Sequence, residues 1–137
     1  MWQVDASELA DNLVPVVTIW REAANQGVAG MTAVGYVIQN RAIKRNLTPT
    51  QVCLQPLQFS SMTAPSDPGL KHWPMPDDPV FQQCYEAWQS ILNGAATDPT
   101  AGATLYYANS IPAPPWASAP TVAFTVQIGT QRFYKES

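Results

Sequence analysis

"GMTAVGYVIQNRAIKRN", residues 30–46, decides the fold class. Val34, Val37 and Ile38 recur at the three- and four-residue spacing of one helix face, and Arg41 continues the series. Gly30 and Gly35 lie in the same stretch and permit close approach of a neighbouring element, because they carry no Cβ. The stretch reads as a central core helix around which the remaining elements must pack.

Just upstream, Asp5 and Glu8 form a capping-box pattern, and apolar positions follow at Leu9, Leu13, Val16, Val17, Ile19, Trp20, Ala23 and Ala24. This predicts a helix to about Asn25. Pro15 falls inside it and has no N–H for an i to i−4 hydrogen bond, so it either kinks this helix or starts a second one. The second half contains "TIWREAANQG", residues 18–27, and with it Glu22. At about 100° per residue the apolar stripe centres on Val16, Trp20 and Ala23, with Glu22 on one border and Arg21 on the other. Periodicity therefore leaves open whether Glu22 is an ordinary solvated residue or a carboxyl held in poor contact with water.

Downstream, Thr48, Pro49 and Gln51 mark the start of a short helix reaching Leu54. The Pro-, Ser- and Asp-rich residues 55–79 read mostly as loop, and so long a loop is more often functional than idle. Asp78 caps a further helix with Pro79 at its first position. Its apolar face is predicted to be Phe81, Cys84, Tyr85, Trp88, Ile91 and Leu92, and Gly94 ends it. Short strands follow in "ATLYYAN" and "TVAFTVQIGTQRFYK", where Val122, Phe124, Val126 and Ile128 alternate. The expected architecture is α+β, mainly helical, with a small antiparallel sheet towards the C-terminus and residues 1–137 forming a single domain.

Charged residues make up only 12% of the 137 residues, against an ordinary share of about a quarter, so each one is worth locating. The net charge is −3 and no Lys/Arg cluster occurs, which argues against nucleic acid and anionic membranes as partners. No apolar run approaches the roughly 20 residues of a membrane span. The amino terminus lacks the basic and apolar regions of a signal peptide, so the expectation is synthesis in the cytoplasm or a leader already trimmed. Cys53 and Cys84 have no metal-ligand spacing and His72 is the one imidazole, so neither a metal site nor a cofactor is expected; buried free thiols are the plain reading, with a disulfide between them still possible.

Carboxylates remain as candidate chemistry. A nucleophilic triad lacks a patterned base, and no glycine-rich phosphate loop follows a strand. Asp5, Glu8, Asp11, Asp67, Asp77, Asp78 and Glu136 fall in caps, loops or a terminus, Glu86 on the polar side of its helix, and Asp98 in the turn "DPT". Glu22 is left as the candidate acid/base.

An ordered series of residues resembles the cell wall hydrolase family typified by spore cortex-lytic enzymes. It runs from Glu22-Ala23 through Gly30, Ala33-Val34 and Asn40-Arg41 to Gln55-Pro56, Gln58, Phe59 and Ser60. It continues with Asp98-Pro99-Thr100, Gly102-Ala103, Tyr106-Tyr107, Asn109, Trp116, Ile128-Gly129 and Phe133-Tyr134. The resemblance implies a lysozyme-like domain acting on the glycan strands of peptidoglycan as a lytic transglycosylase, with Glu22 catalytic. It also implies that Gln58, Ser60, Tyr107 and Asn109 bind the carboxyl or the sugar's N-acetyl group, and that Phe59, Tyr106 and Trp116 offer flat faces to sugar rings. Two family positions differ: Gln26 stands where a second Glu is common, and Gln131 where a His is common.

The loss of that second acid bears on mechanism, because retaining and inverting glycosidases use two carboxyls whereas substrate-assisted chemistry needs one. Three alternatives stay open: a hydrolytic muramidase using Asp98 or Glu86 to position water, a glycan-binding protein without turnover, and a structural or interaction domain with no sugar site, which would leave Glu22 fully exposed. A monomer acting at the bacterial cell wall, outside the membrane, is expected. A phage or prophage endolysin, or the catalytic domain of a larger secreted enzyme, would suit that expectation.

Overall fold

The computed structural model describes residues 6–55, 59, 62 and 73–137. Its first helix, α1 (Ala6–Ala23), continues through Pro15. Pro15 cannot donate to the carbonyl of Asp11; the indole Nε1 of Trp88, from another helix, donates to that oxygen instead at 3.2 Å. A tertiary contact thus repairs the defect that sequence reasoning expected to kink or divide the helix. The expected Asp5–Glu8 box cannot be followed, since Asp5 lies outside the described residues.

The central stretch forms α2 (Gly27–Arg45) and buries Met31, Ala33, Val34, Val37, Ile38 and Arg41. Three helices meet at Gly35: a Cβ there would stand 2.5 Å from Ile91 Cδ1 and 3.3 Å from Ile19 Cδ1. Glycine is what lets α1 and the later helix close on α2 at this point. Val16, Ile19, Val34, Ile38 and Trp88 are fully buried around it, each aliphatic side chain contributing about 1.5–3 kcal/mol of transfer free energy.

Thr48 caps α3 (Pro49–Cys53) through the expected reciprocal box: Thr48 Oγ1 accepts from the Gln51 amide, and Gln51 Oε1 accepts from the Thr48 amide. Asp78 Oδ1 accepts from the Val80 amide at 2.8 Å to start α4 (Pro79–Leu92). The buried face of α4 is Cys84, Ala87, Trp88 and Ile91, narrower than expected. Tyr85 and Leu92 are 36% and 44% exposed, because they flank the stripe rather than lie on it. Cys53 and Cys84 are buried free thiols, and burial pushes each up to about 12.

Three antiparallel strands complete the fold: β1 (Leu105–Ala108), β2 (Val122–Ile128) and β3 (Gln131–Glu136), in the order β1-β3-β2. The one-sided alternation expected in β2 is broken by a bulge between Phe124 and Val126. Val126 and Ile128 pack with Ala33, Val37 and Phe133 on the helices, while Phe124 turns to the outer face and is 47% exposed. An extra residue in one strand reverses the facing of everything beyond it. On that outer face Phe124 meets Tyr134 edge-on at 5.5 Å, and Arg132 lies 4.2 Å over the Phe124 ring.

Candidate active site around Glu22

Glu22 lies one residue from the end of α1 and lines a cavity of about 680 Å³ that runs along the edge strand β1. The cavity takes Leu105, Tyr106, Tyr107 and Ala108 in succession, which places both faces of β1 on its wall. Arg41 from α2, Gln131 from β3 and Trp116 from the short 3-10 turn Pro115–Ser118 complete its polar and aromatic lining. The volume falls in the ordinary range for small-ligand sites, about 300–1,000 Å³.

Tyr106 is on the inner face of β1, paired with Phe133 and with ring centroids 5.4 Å apart. Its hydroxyl donates to Glu22 Oε1. Burial, then the Glu22 charge and this hydrogen bond, hold the Tyr106 hydroxyl well above its ordinary pKa, so it stays a donor across neutral and mildly alkaline pH. Tyr106, expected as a flat face for a sugar, lines the cavity and also turns its hydroxyl to the carboxyl. Among the described residues lining the cavity, Glu22 is the single carboxylate.

Arg41 is 4% exposed. Its Nε donates to the Thr104 carbonyl, and its guanidinium lies 4.8 Å over the Phe59 ring. Burial, with Arg45 adding to it, pulls Arg41 below its ordinary pKa, but a guanidinium keeps its charge at any ordinary pH. Gln131 is 5% exposed, and its Nε2 donates to the Glu22 backbone carbonyl at 3.3 Å. Arg41 Nη1 and Gln131 Oε1 are both buried without a hydrogen-bond partner among the described residues. Such a group costs about 1–3 kcal/mol in a folded protein.

The other expected site residues divide. Tyr107 and Trp116 reach the cavity, with Trp116 edge-on to Tyr107 at 5.9 Å; the Tyr107 hydroxyl stands 3.4 Å from that of Tyr134. Asn109 is exposed just beyond β1, and its backbone amide donates to the Thr130 carbonyl at 2.7 Å. Phe59 is 1% exposed and packs beneath Arg41 in the core, so its ring presents no face to a sugar in this structure. Gln58 and Ser60 lie outside the described residues. Sequence reasoning missed Gln131 as a lining residue and placed Arg41 only in the core; the available signal was a cation among apolar positions at helical spacing.

The two acids named for positioning water lie elsewhere. Both oxygens of Asp98 are occupied, Oδ1 by the Thr100 amide and hydroxyl and Oδ2 by Asn40 Nδ2 and the Gly102 amide, at 2.6–3.0 Å. Glu86 lines a separate hollow on α4 with Val28 and Thr32. Gln26, at the family's second-acid position, accepts from the Thr130 amide and hydroxyl, both at 3.2 Å. Gly129 makes room for it: a Cβ there would lie 2.5 Å from Gln26 Oε1. Gln26 therefore ties the α1–α2 corner to the β2–β3 turn. Among the described residues no group of three or more His, Cys, Asp or Glu could hold a metal ion.

A family model described as "Cell Wall Hydrolase" matches residues 25–134, beginning just after Glu22. The crystal structure of the catalytic domain of the Bacillus cereus SleB protein is similar, with 22% identity, a TM-score of 0.73, and coverage of 93% of this chain and 91% of that one. The catalytic domain of the germination-specific lytic transglycosylase SleB from Bacillus anthracis is 21% identical, with a TM-score of 0.73 and coverage of 97% and 98%. Likeness at this identity establishes a shared fold, the mainly helical lysozyme-like arrangement with a small sheet. No curated protein matches the chain.

Proposed function

The chain belongs to the cell wall hydrolase family, an enzyme of peptidoglycan breakdown, and on that premise we propose that it is a lytic transglycosylase with Glu22 as its sole acid/base. The observation that carries this reading is the cavity lining: one carboxylate, Glu22, and no second acid among the described residues there. The bond attacked is that between N-acetylmuramic acid and N-acetylglucosamine. Its glycosidic oxygen receives the Glu22 proton as the C1–O bond breaks.

Tyr106 donates to Oε1 of Glu22, so the transferable proton resides on Oε2. Proton transfer turns Glu22 into a carboxylate, and the Tyr106 hydrogen bond strengthens as the acceptor gains charge. The acetamido oxygen of the same sugar stabilises the positive charge at C1. Glu22 then removes the proton from the C6 hydroxyl, whose oxygen closes on C1 to give a 1,6-anhydro ring. Glu22 ends protonated as it began, and no water is consumed. Tyr107 and Trp116, at the outer part of the cavity, supply the surface for sugar rings. Similarity of fold to a germination-specific lytic transglycosylase supports the reading.

Mass spectrometry of purified peptidoglycan after digestion tests it. Muropeptides one water lighter than reducing-end products are expected from wild type. Reducing-end products alone would make the protein a hydrolase instead.

A further inference from the structure

Two residues lining the Glu22 cavity each carry a buried polar atom with no hydrogen-bond partner among the described residues: the donor Arg41 Nη1 and the acceptor Gln131 Oε1. Their orientations follow from their other bonds. The Nε of Arg41 is spent on the Thr104 carbonyl, and the guanidinium plane is held over Phe59. Nε2 of Gln131 is spent on the Glu22 carbonyl, which assigns the free end of that amide as oxygen. Both side chains are at least nine-tenths buried, and neither orphan atom has a hydrogen-bond partner among the described residues. A buried donor and acceptor left unfilled cost stability, and a ligand that supplies both partners recovers it.

We propose that Arg41 and Gln131 form a recognition pair for a secondary amide of the ligand, the acetamido group of an amino sugar, with Arg41 Nη1 donating to its carbonyl and Gln131 Oε1 accepting from its N–H. The pairing rests on the reading of the cavity as a glycan site. A carboxylate fits the charge of Arg41 but not its surroundings: it has no hydrogen to offer Gln131 Oε1, and it would enter beside Glu22, which lines the same cavity. A plain hydroxyl can both accept and donate, but only through one oxygen that must lie within reach of both atoms, whereas the amide offers a carbonyl oxygen and an N–H on separate atoms. The amide matches both at once, as buried polar sites do when they discriminate strongly. Gln131 thereby couples recognition to chemistry, because the amide that reads the ligand also holds the backbone of Glu22.

Binding to Glu22→Gln, which cannot turn over, tests the pairing apart from catalysis. The probes are β-linked oligomers of N-acetylglucosamine and of glucose, which differ only in the acetamido group, measured by calorimetry. Glu22→Gln is expected to prefer the acetylated oligomer by about tenfold or more, the amount two hydrogen bonds to a buried site supply. Adding Gln131→Met or Arg41→Lys is expected to reduce that preference to within about threefold, with thermal melts reporting whether each variant is folded. Equal binding of the two oligomers by Glu22→Gln overturns the pairing without any further variant. So does an undiminished preference in a folded Gln131→Met protein, or tighter binding of glycan carrying free lactyl carboxylates that depends on Arg41. Failure of wild type to cleave peptidoglycan, with the acetamido preference intact, would strike the transglycosylase reading and leave the pairing standing.

Discussion

The Glu22 cavity and the Asp98 turn use the same chemical group in opposite ways. Asp98 accepts four hydrogen bonds from Asn40, Thr100 and Gly102, and its surroundings are complete without a ligand. Glu22 shares a cavity wall with Arg41 and Gln131, each of which carries a buried atom with no partner among the described residues. Burial pushes the Asp98 carboxyl up, but those four hydrogen bonds outweigh it and hold the group below its ordinary value. A saturated carboxylate stiffens the fold. One set among unfilled neighbours is placed to meet something from outside.

The hardest break in this comparison is Glu22→Gln. It is nearly isosteric, so melting should be little changed, while turnover should fall by at least about 10²–10⁴-fold, the scale of a general acid/base. Activity near wild type in a folded variant would move the chemistry away from α1. Tyr106→Phe is the next cut, because it removes only the hydroxyl on Glu22 Oε1. About a 10- to 100-fold loss in kcat with KM nearly constant is expected, consistent with a charge-assisted bond that tightens during reaction.

Asp98→Asn probes the saturated side. It should lower stability by about 1–2 kcal/mol at neutral pH, a melting shift of several degrees, and leave turnover of the folded enzyme unchanged. The sign of the pH dependence follows from the lowered folded-state pKa. The contribution of Asp98 is fully present above its unfolded value of about 4 and is lost as pH falls through the folded one. Wild type and variant should therefore converge in melting temperature at acid pH, and a constant gap would contradict the assignment. The smallest effect expected is from Trp116→Ala, a rise in KM of about 3- to 10-fold without change in kcat.

Much of the fold was legible because it follows from periodicity and caps. The Thr48–Gln51 box, the Asp78 start of α4 and the buried face of α2 depend on neighbours a few residues apart. What escaped depends on distant partners. Pro15 signals a break unless Trp88, from another helix, is known to satisfy the Asp11 carbonyl. Alternation in β2 hides the bulge that turns Phe124 outward, because the extra residue is defined only by pairing with β3. The site divides likewise: Glu22 could be singled out by eliminating acids that cap or turn. That Tyr106 rather than Tyr107 meets it is a matter of which face of β1 points inward. Gln131 looked like the loss of a polar family residue, and only the bond of its Nε2 to the Glu22 backbone shows which end of the amide is left over.

The most direct measurement of the central claim is digestion of peptidoglycan by wild type and Glu22→Gln in water enriched in heavy oxygen, followed by mass spectrometry. Unlabelled anhydro-muropeptides from wild type and none from the variant are the predicted result. Heavy oxygen at new reducing ends, or turnover that survives the loss of Glu22, would contradict a single-carboxylate transglycosylase.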